Sequence, residues 1–177
     1  TNVTQPHTIS ATFWRARDVT ASAGEHGQIS PPGTITAAYG SILTYTITPD
    51  PGYKVKEVLL DNWWSAGAVT SFTFDYLDRD HTIHATFEQI TCNITASAGA
   101  NGAIAPSGVT TLNWGESLHY TITPSAGYRV KDVKVDGASV GAVTAYTFTN
   151  VTGPHTIQAA FEQITYDITA SAGANGA

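Results

Sequence analysis

Methionine is absent from the 177 residues, and cysteine occurs once, at Cys92. A lone Cys closes no intrachain disulfide, so a small core stapled by bridges is excluded. Charge is scarce as well: Asp, Glu, Lys and Arg make up 12% of the chain, about half of the roughly 25% usual for a soluble domain. Eight residues are Lys or Arg against 14 Asp or Glu, for a net charge of -6. With no basic stretch, the counterion release that drives phosphate binding has no surface to act on, and nucleic acid is not an expected partner. Apolar runs extend for only a few residues, far below the roughly 20 that cross a bilayer, so no membrane insertion is expected. The opening TNVTQPHTISATF has no basic or apolar leader region and no Met, and reads as an internal segment. Helical periodicity is missing too, since no window places apolar residues at i, i+3, i+4 and i+7 over three turns.

What is present is a repeat. Asp18 to Asp61 reappears as Asn93 to Asp136 at an offset of 75, and Ala68 to Thr91 reappears as Ala142 to Thr165 at an offset of 74. One residue is therefore lost in the loop after Asp136. The ends keep the same register: Thr1 to Phe13 matches the tail of a copy, and Tyr166 to Ala177 matches the start of another. The expected organisation is residues 1–17 as the end of a preceding copy, modules 18–91 and 92–165, and residues 166–177 as the beginning of a following copy.

Within a copy, ITAS, YTIT, YTFT and HTIQAAF alternate apolar or aromatic residues with Thr, Ser or other polar ones. Period two in residues that favour pleated surfaces predicts short half-buried strands. Turn signals separate them at residues 99–102, 106–108, 114–115, 124–127 and 136–137, each supplying a pre-set or positive φ. The fold class is therefore all-β, in tandem small modules of short antiparallel strands. In YRVKDVKVD the phase breaks, because Tyr128 and Val130 share one face while Val133 and Val135 fall on the other. A bulge at Lys131-Asp132 restores a common inward face, and Tyr53, Val55, Val58 and Leu60 repeat the break. The expected core of the second copy is Ile94, Ile104, Tyr120, Ile122, Tyr128, Val130, Val133, Tyr146, Phe148, Ile157 and Phe161. Between copies, FEQITCNITAS contains no Gly, Pro or Ser spacer. The last strand of one module is expected to pass almost directly into the first of the next, a stiff tether that stacks neighbouring repeats into a rod.

The order Asn-Gly, Pro-x-Gly, aromatic-Gly, Pro-x-x-Gly-Tyr, Val-Asp-Gly, Tyr-Thr-Phe, His-Thr-Ile and Phe, across ITASAGANGAIAPSG, WGESLHYTITPSAGYRVKDVKVDG and YTFTNVTGPHTIQAAF, resembles the divergent internalin B-repeat family of bacterial surface proteins. The resemblance covers essentially the whole chain. It implies β-rich modules related to the β-grasp repeats of internalins, arrayed as extracellular stalks on surface or secreted proteins, and it brings no catalytic residues. The first copy departs from the pattern at Asp61-Asn62-Trp63-Trp64, where the second has a tight Val-Asp-Gly turn.

Candidate sites are few. His7, His81 and His155 recur once per unit, which sets them a unit apart and assigns them to strand entry rather than to a shared metal. His26, His84 and His119 have no partner at metal spacing. Asp75, Asp78 and Asp80 offer at most a weak hard-cation site, without the ligand ladder of a calcium loop. No nucleophile elbow or phosphate loop occurs, so neither catalysis nor a cofactor is expected. Trp63 and Trp64 are the candidate contact for a glycan or a host or matrix protein: adjacent side chains on an extended segment face opposite ways, so at least one indole is exposed. Trp114, in place of Tyr39, reads as structural, and Cys92 as an inert half-buried thiol. Asn-x-Thr sequons stand at Asn2, Asn93 and Asn150. The reading is a non-catalytic stalk or filament segment, with self-association by strand pairing as a variant and adhesion through Trp63-Trp64 as the alternative.

Overall fold

The computed structural model describes residues 4–11 and 15–171, and these form strands and turns with no helix. The chain divides between Gln89 and Ile90 into two compact units. Module 1 runs β1 (Ala16–Ala23), β2 (Gly27–Ser30), β3 (Gly33–Ala38), β4 (Leu43–Pro49), β5 (Tyr53–Leu60), β6 (Trp64–Gly67), β7 (Ser71–Phe74) and β8 (His81–Gln89). Module 2 repeats the series as β9 (Thr91–Ala98), β10 (Gly102–Ala105), β11 (Gly108–Asn113), β12 (Leu118–Pro124), β13 (Tyr128–Val135), β14 (Ala138–Gly141), β15 (Ala145–Phe148) and β16 (His155–Gln163).

Each module holds two sheets, of order β3-β1-β8-β5-β6 and β2-β4-β7 in the first, and β11-β9-β16-β13-β14 and β10-β12-β15 in the second. All pairings are antiparallel except one per module, in which the first and last strands run parallel, β1 with β8 and β9 with β16. Alternation along a strand says which face is buried but not which way its neighbour runs, so this pairing lay outside the sequence expectation. The parallel pair lies inside the five-stranded sheet, and the three-stranded sheet is formed by the intervening chain.

The core of each module draws on both sheets. In module 2, Ile94, Ile104, Tyr120, Ile122, Val130, Val133, Phe148 and Ile157 are buried as expected, and Tyr146 and Phe161 pack against them half-buried. Tyr128 is a correction: it is only half-buried and stands outside the cluster, at the open end of β13 beside a turn. Cys92, Ala96, Val151 and Ala159 are buried instead. Cys92 is thus enclosed in the core rather than half-buried, because its position in β9 alternates in phase with Ile94 and Ala96.

The phase break in the fifth strand of each module is a bulge. The β13–β16 register slips between Val130 and Asp132, and the β5–β8 register slips between Val55 and Glu57. Lys131 and Lys56 are the extra residues, both exposed, and Val130 and Val133 are buried on either side of the slip. Deleting Lys131 leaves Val130, Val133 and Val135 in strict alternation against an unchanged β16. That deletion is expected to keep module 2 folded, within about 1 kcal/mol of the parent in a denaturant titration. Inserting an alanine between Ile157 and Gln158 flips the rest of β16 and is expected to unfold the module. Equal damage from both changes would refute this account of the bulge.

Residues 4–11 and 166–171 carry no strand, while β1 begins at Ala16, two residues before the expected module boundary. Ile9 and Ile168 are each 95% exposed, whereas their equivalents Ile83 and Ile94 are fully buried.

Candidate functional site

The β5–β6 turn is where the two modules differ in length. In module 2 it is a tight two-residue turn, with Asp136 and Gly137 at φ 49° and 82°, the backbone that suits right-twisted hairpins. In module 1, Asp61 and Asn62 take the same left-handed conformation at φ 52° and 60°, and Trp63 is the added residue. The Trp63 backbone N–H donates to Leu60 O at 3.2 Å, and Trp64 then opens β6 opposite Leu60. Trp63 is 74% exposed and Trp64 is 48% exposed. Both indoles thus reach solvent, one more than the adjacency of the pair requires.

Trp64 is braced by the edge of Phe72 at 6.1 Å between centroids; Phe72 packs on Phe74 at 5.0 Å, and Phe74 on buried Tyr45 at 6.2 Å. A ladder of rings therefore ties the edge strand to the core. Trp63 forms a wall of two open cavities. One, of about 530 Å³, is lined by Asp18, Asp61, Asn62, Arg79 and Asp80. The other, of about 330 Å³, is lined mainly by Leu60, Trp64, Phe72 and Phe74. The tryptophans were legible in the sequence, whereas Asp18, Asn62 and Arg79 were not picked out. A usable signal was there: Asp78-Arg79-Asp80 stands where the second copy has Thr152-Gly153-Pro154.

Beneath the turn lies a clamp common to both modules. His81 opens β8, and its Nδ1 donates to Asp61 Oδ2 at 2.9 Å, while the Thr82 N–H donates to Asp61 Oδ1 at 2.9 Å. His155 and Thr156 hold Asp136 in the same way, at 2.7 and 2.8 Å. His81 and His155 are therefore strand-entry residues, and each ring also lies against a phenylalanine, Phe74 or Phe148.

Burial pushes the Asp61 carboxyl up. The hydrogen bonds from Thr82 and His81, with the charges of His81 and Arg79, outweigh burial and hold it below the ordinary carboxylate range. Asp136 is likewise held low, first by the His155 hydrogen bond and then by the Thr156 N–H. A depressed carboxyl contributes stability that is complete above its unfolded value, near 3.8, and is lost as pH falls through the folded value. Asn tolerates the left-handed backbone and keeps one acceptor for Thr156. Asp136→Asn is therefore expected to cost module 2 about 1 kcal/mol at neutral pH and to flatten its loss of stability below pH 4, both read from melting curves. An acid limb as steep in the variant as in the parent would count against the clamp.

The remaining candidates separate. Asp80 accepts from the Asp18 N–H at 3.1 Å, and Asp78 lies 3.7 Å from both Arg79 and His81. Among the described residues no three His, Cys, Asp or Glu are grouped to hold a metal ion, so Asp75, Asp78 and Asp80 do not converge. His84 bonds Ser22 at 2.8 Å, His119 bonds Thr147 at 2.9 Å, and His26 stacks on Tyr53 at 4.0 Å. His7 departs from the strand-entry expectation, being exposed and outside any strand. Trp114 is partly exposed, with its backbone N–H donating to Ile90 O at 3.0 Å. Of the sequons, Asn93 accepts from Thr111 at 2.8 Å, Asn150 sits in a turn at φ 51°, and Asn2 lies outside the described residues.

Two copies of one all-β scaffold, joined in tandem and differing in length at one turn, define a repeat-array protein. The family model described as the divergent InlB B-repeat domain matches residues 17–91 and 92–165. The chain belongs to that family, as the order of its turn motifs led us to expect. No curated protein matches the chain. The family is not generally catalytic, and it points to a repeat of a bacterial surface protein. No helix among the described residues is long and apolar enough to cross a membrane.

Proposed function

We propose that the chain is a non-catalytic spacer segment of an extracellular bacterial surface protein, a stalk that holds other parts of its parent protein away from the cell. The observation that supports this most directly is the junction: β8 ends at Gln89 and β9 begins at Thr91, so one residue, Ile90, separates the modules along the chain. Flexible linkers need several free Gly or Ser residues, and on the stalk reading reach grows with copy number. Small-angle scattering of chains carrying two, three and four modules tests it. The maximum dimension is expected to rise by roughly 30 Å per copy, the length of a nine-residue strand at 3.3 Å per residue. A dimension that grows with the square root of copy number would mean flexible beads and would end the stalk reading.

A second reading is supported by the 74% exposure of Trp63. In it, module 1 adds adhesion to spacing, through the Trp63-Trp64 loop.

A further inference from the structure

Resting on that second reading, we infer that the polar cavity beside Trp63 binds an uncharged, pyranose-based glycan, and that module 2 lacks this activity. The two modules share strand order, bulge, core and Asp-His clamp, so they serve as an internal control. Differences are spread along the two copies, and one group of them meets at one end of module 1. Asn62 and Trp63 replace Gly137, Trp64 replaces Ala138, Asp78-Arg79-Asp80 replaces Thr152-Gly153-Pro154, and Asp18 replaces Asn93. Segments distant in sequence, in β1, the β5–β6 turn and the β7–β8 loop, thus carry altered residues to the rim of one cavity of about 530 Å³.

The chemistry of that rim selects the ligand class. Trp63 offers a broad exposed indole on which the C–H face of a sugar ring packs. Beside it stand an amide at Asn62, a guanidinium at Arg79, and the carboxylates of Asp18 and Asp80. One oxygen of Asp18 accepts from Thr36 at 2.6 Å, and one oxygen of Asp80 accepts from the Asp18 backbone. These bonds orient both groups and leave a second oxygen on each for a hydroxyl. Donors and acceptors side by side next to one apolar plate match a ring with an apolar face and a hydroxyl edge. The cavity is lined by three carboxylates, Asp18, Asp61 and Asp80, against the single guanidinium of Arg79, which lies 3.7 Å from both Asp61 and Asp78; that balance disfavours sialylated, sulfated or uronic sugars.

A panel of printed neutral, sialylated and sulfated oligosaccharides, probed with the full chain, tests the inference. Binding is expected on neutral members only and is expected to change little between low and physiological salt. Trp63→Ala truncates an exposed turn residue, and it is expected to weaken binding at least about tenfold without moving the melting curve. The triple change D78T/R79G/D80P installs module 2's own loop, a sequence the scaffold already accommodates, and is expected to weaken binding comparably with Trp63 intact. The inference is overturned if no neutral glycan is bound, if the bound members are anionic, or if binding survives Trp63→Ala. Trp63-dependent capture of an unglycosylated matrix protein, with no glycan bound, would overturn the sugar ligand while leaving adhesion through this loop standing.

Discussion

Ile157→Ala is expected to remove about 2–5 kcal/mol from module 2. Ile157 is fully buried on β16, paired with Ala96 on one side and Val135 on the other. It therefore has neighbours in the sheet to either side as well as core beneath it, and a cavity there has little room to collapse. At roughly 0.05–0.15 kcal/mol per residue, a module of this size holds about 4–11 kcal/mol in all. The truncation accordingly takes a large share of what there is. Module 1 has its own core, with Ile83 in the equivalent place. The expected result is a split melting curve, in which module 2 unfolds first and module 1 keeps the parent transition. Ile83→Ala should give the mirror image. A single transition displaced as a whole by either change would show that the two modules do not unfold separately.

Gly102→Ala is the second large effect, expected to cost about 1–3 kcal/mol, the usual range for forcing atoms into a packed site. A Cβ at Gly102 would clash with the ring of Phe161, and Gly27 stands in the same relation to Phe87. The aromatic ring at the far end of the long strand lies flat on a bare backbone at the start of the three-stranded sheet, so the glycine is required for close approach rather than for its φ. A double-mutant cycle separates the two roles. Once Phe161→Ala has removed the ring, Gly102→Ala is expected to become neutral or to stabilise by about 0.5–1 kcal/mol, because alanine loses less backbone freedom in a strand. If Gly102→Ala is equally costly in both backgrounds, the ring contact is not the reason for the glycine.

The features legible in the sequence were those with a local signature. The bulge was readable because Val130 and Val133 cannot share a face three residues apart without one. The tight turn was readable from Asp136-Gly137. The small core residues Ala96 and Ala159 were passed over because alanine carries little burial signal, and Cys92 because nothing in a lone thiol distinguishes core from surface. The division into two sheets was hidden: β10 and β11 are four and six residues long, and only their partners across the chain assign them to different layers. The Asp-His clamp was half visible. The recurrence of His81 and His155 was evident, but their partners Asp61 and Asp136 lie about twenty residues earlier, beyond the reach of any motif. Those aspartates recur in the same register, and that shared recurrence was the available clue. At the candidate site, adjacency alone told that one indole must be exposed. Which residues surround it depended on β1, a turn and a loop meeting, and only the differences between the two copies hinted at that.

The parallel pairing of the first and last strands sets how a module answers a pull on its two ends. Tension enters at the start of β1 and leaves at the end of β8, and the strands are neighbours in register from Val19 opposite His81 to Ala23 opposite Ala85. Force applied there drags the two strands past each other lengthwise, in shear. The ladder of hydrogen bonds between them is loaded all at once, whereas an antiparallel terminal pair would be peeled open one rung at a time. β9 and β16 repeat the arrangement from Ile94 opposite His155 to Ala98 opposite Ala159. A tether built from such links resists extension until a whole link yields, and each link that yields adds slack and spares its neighbours.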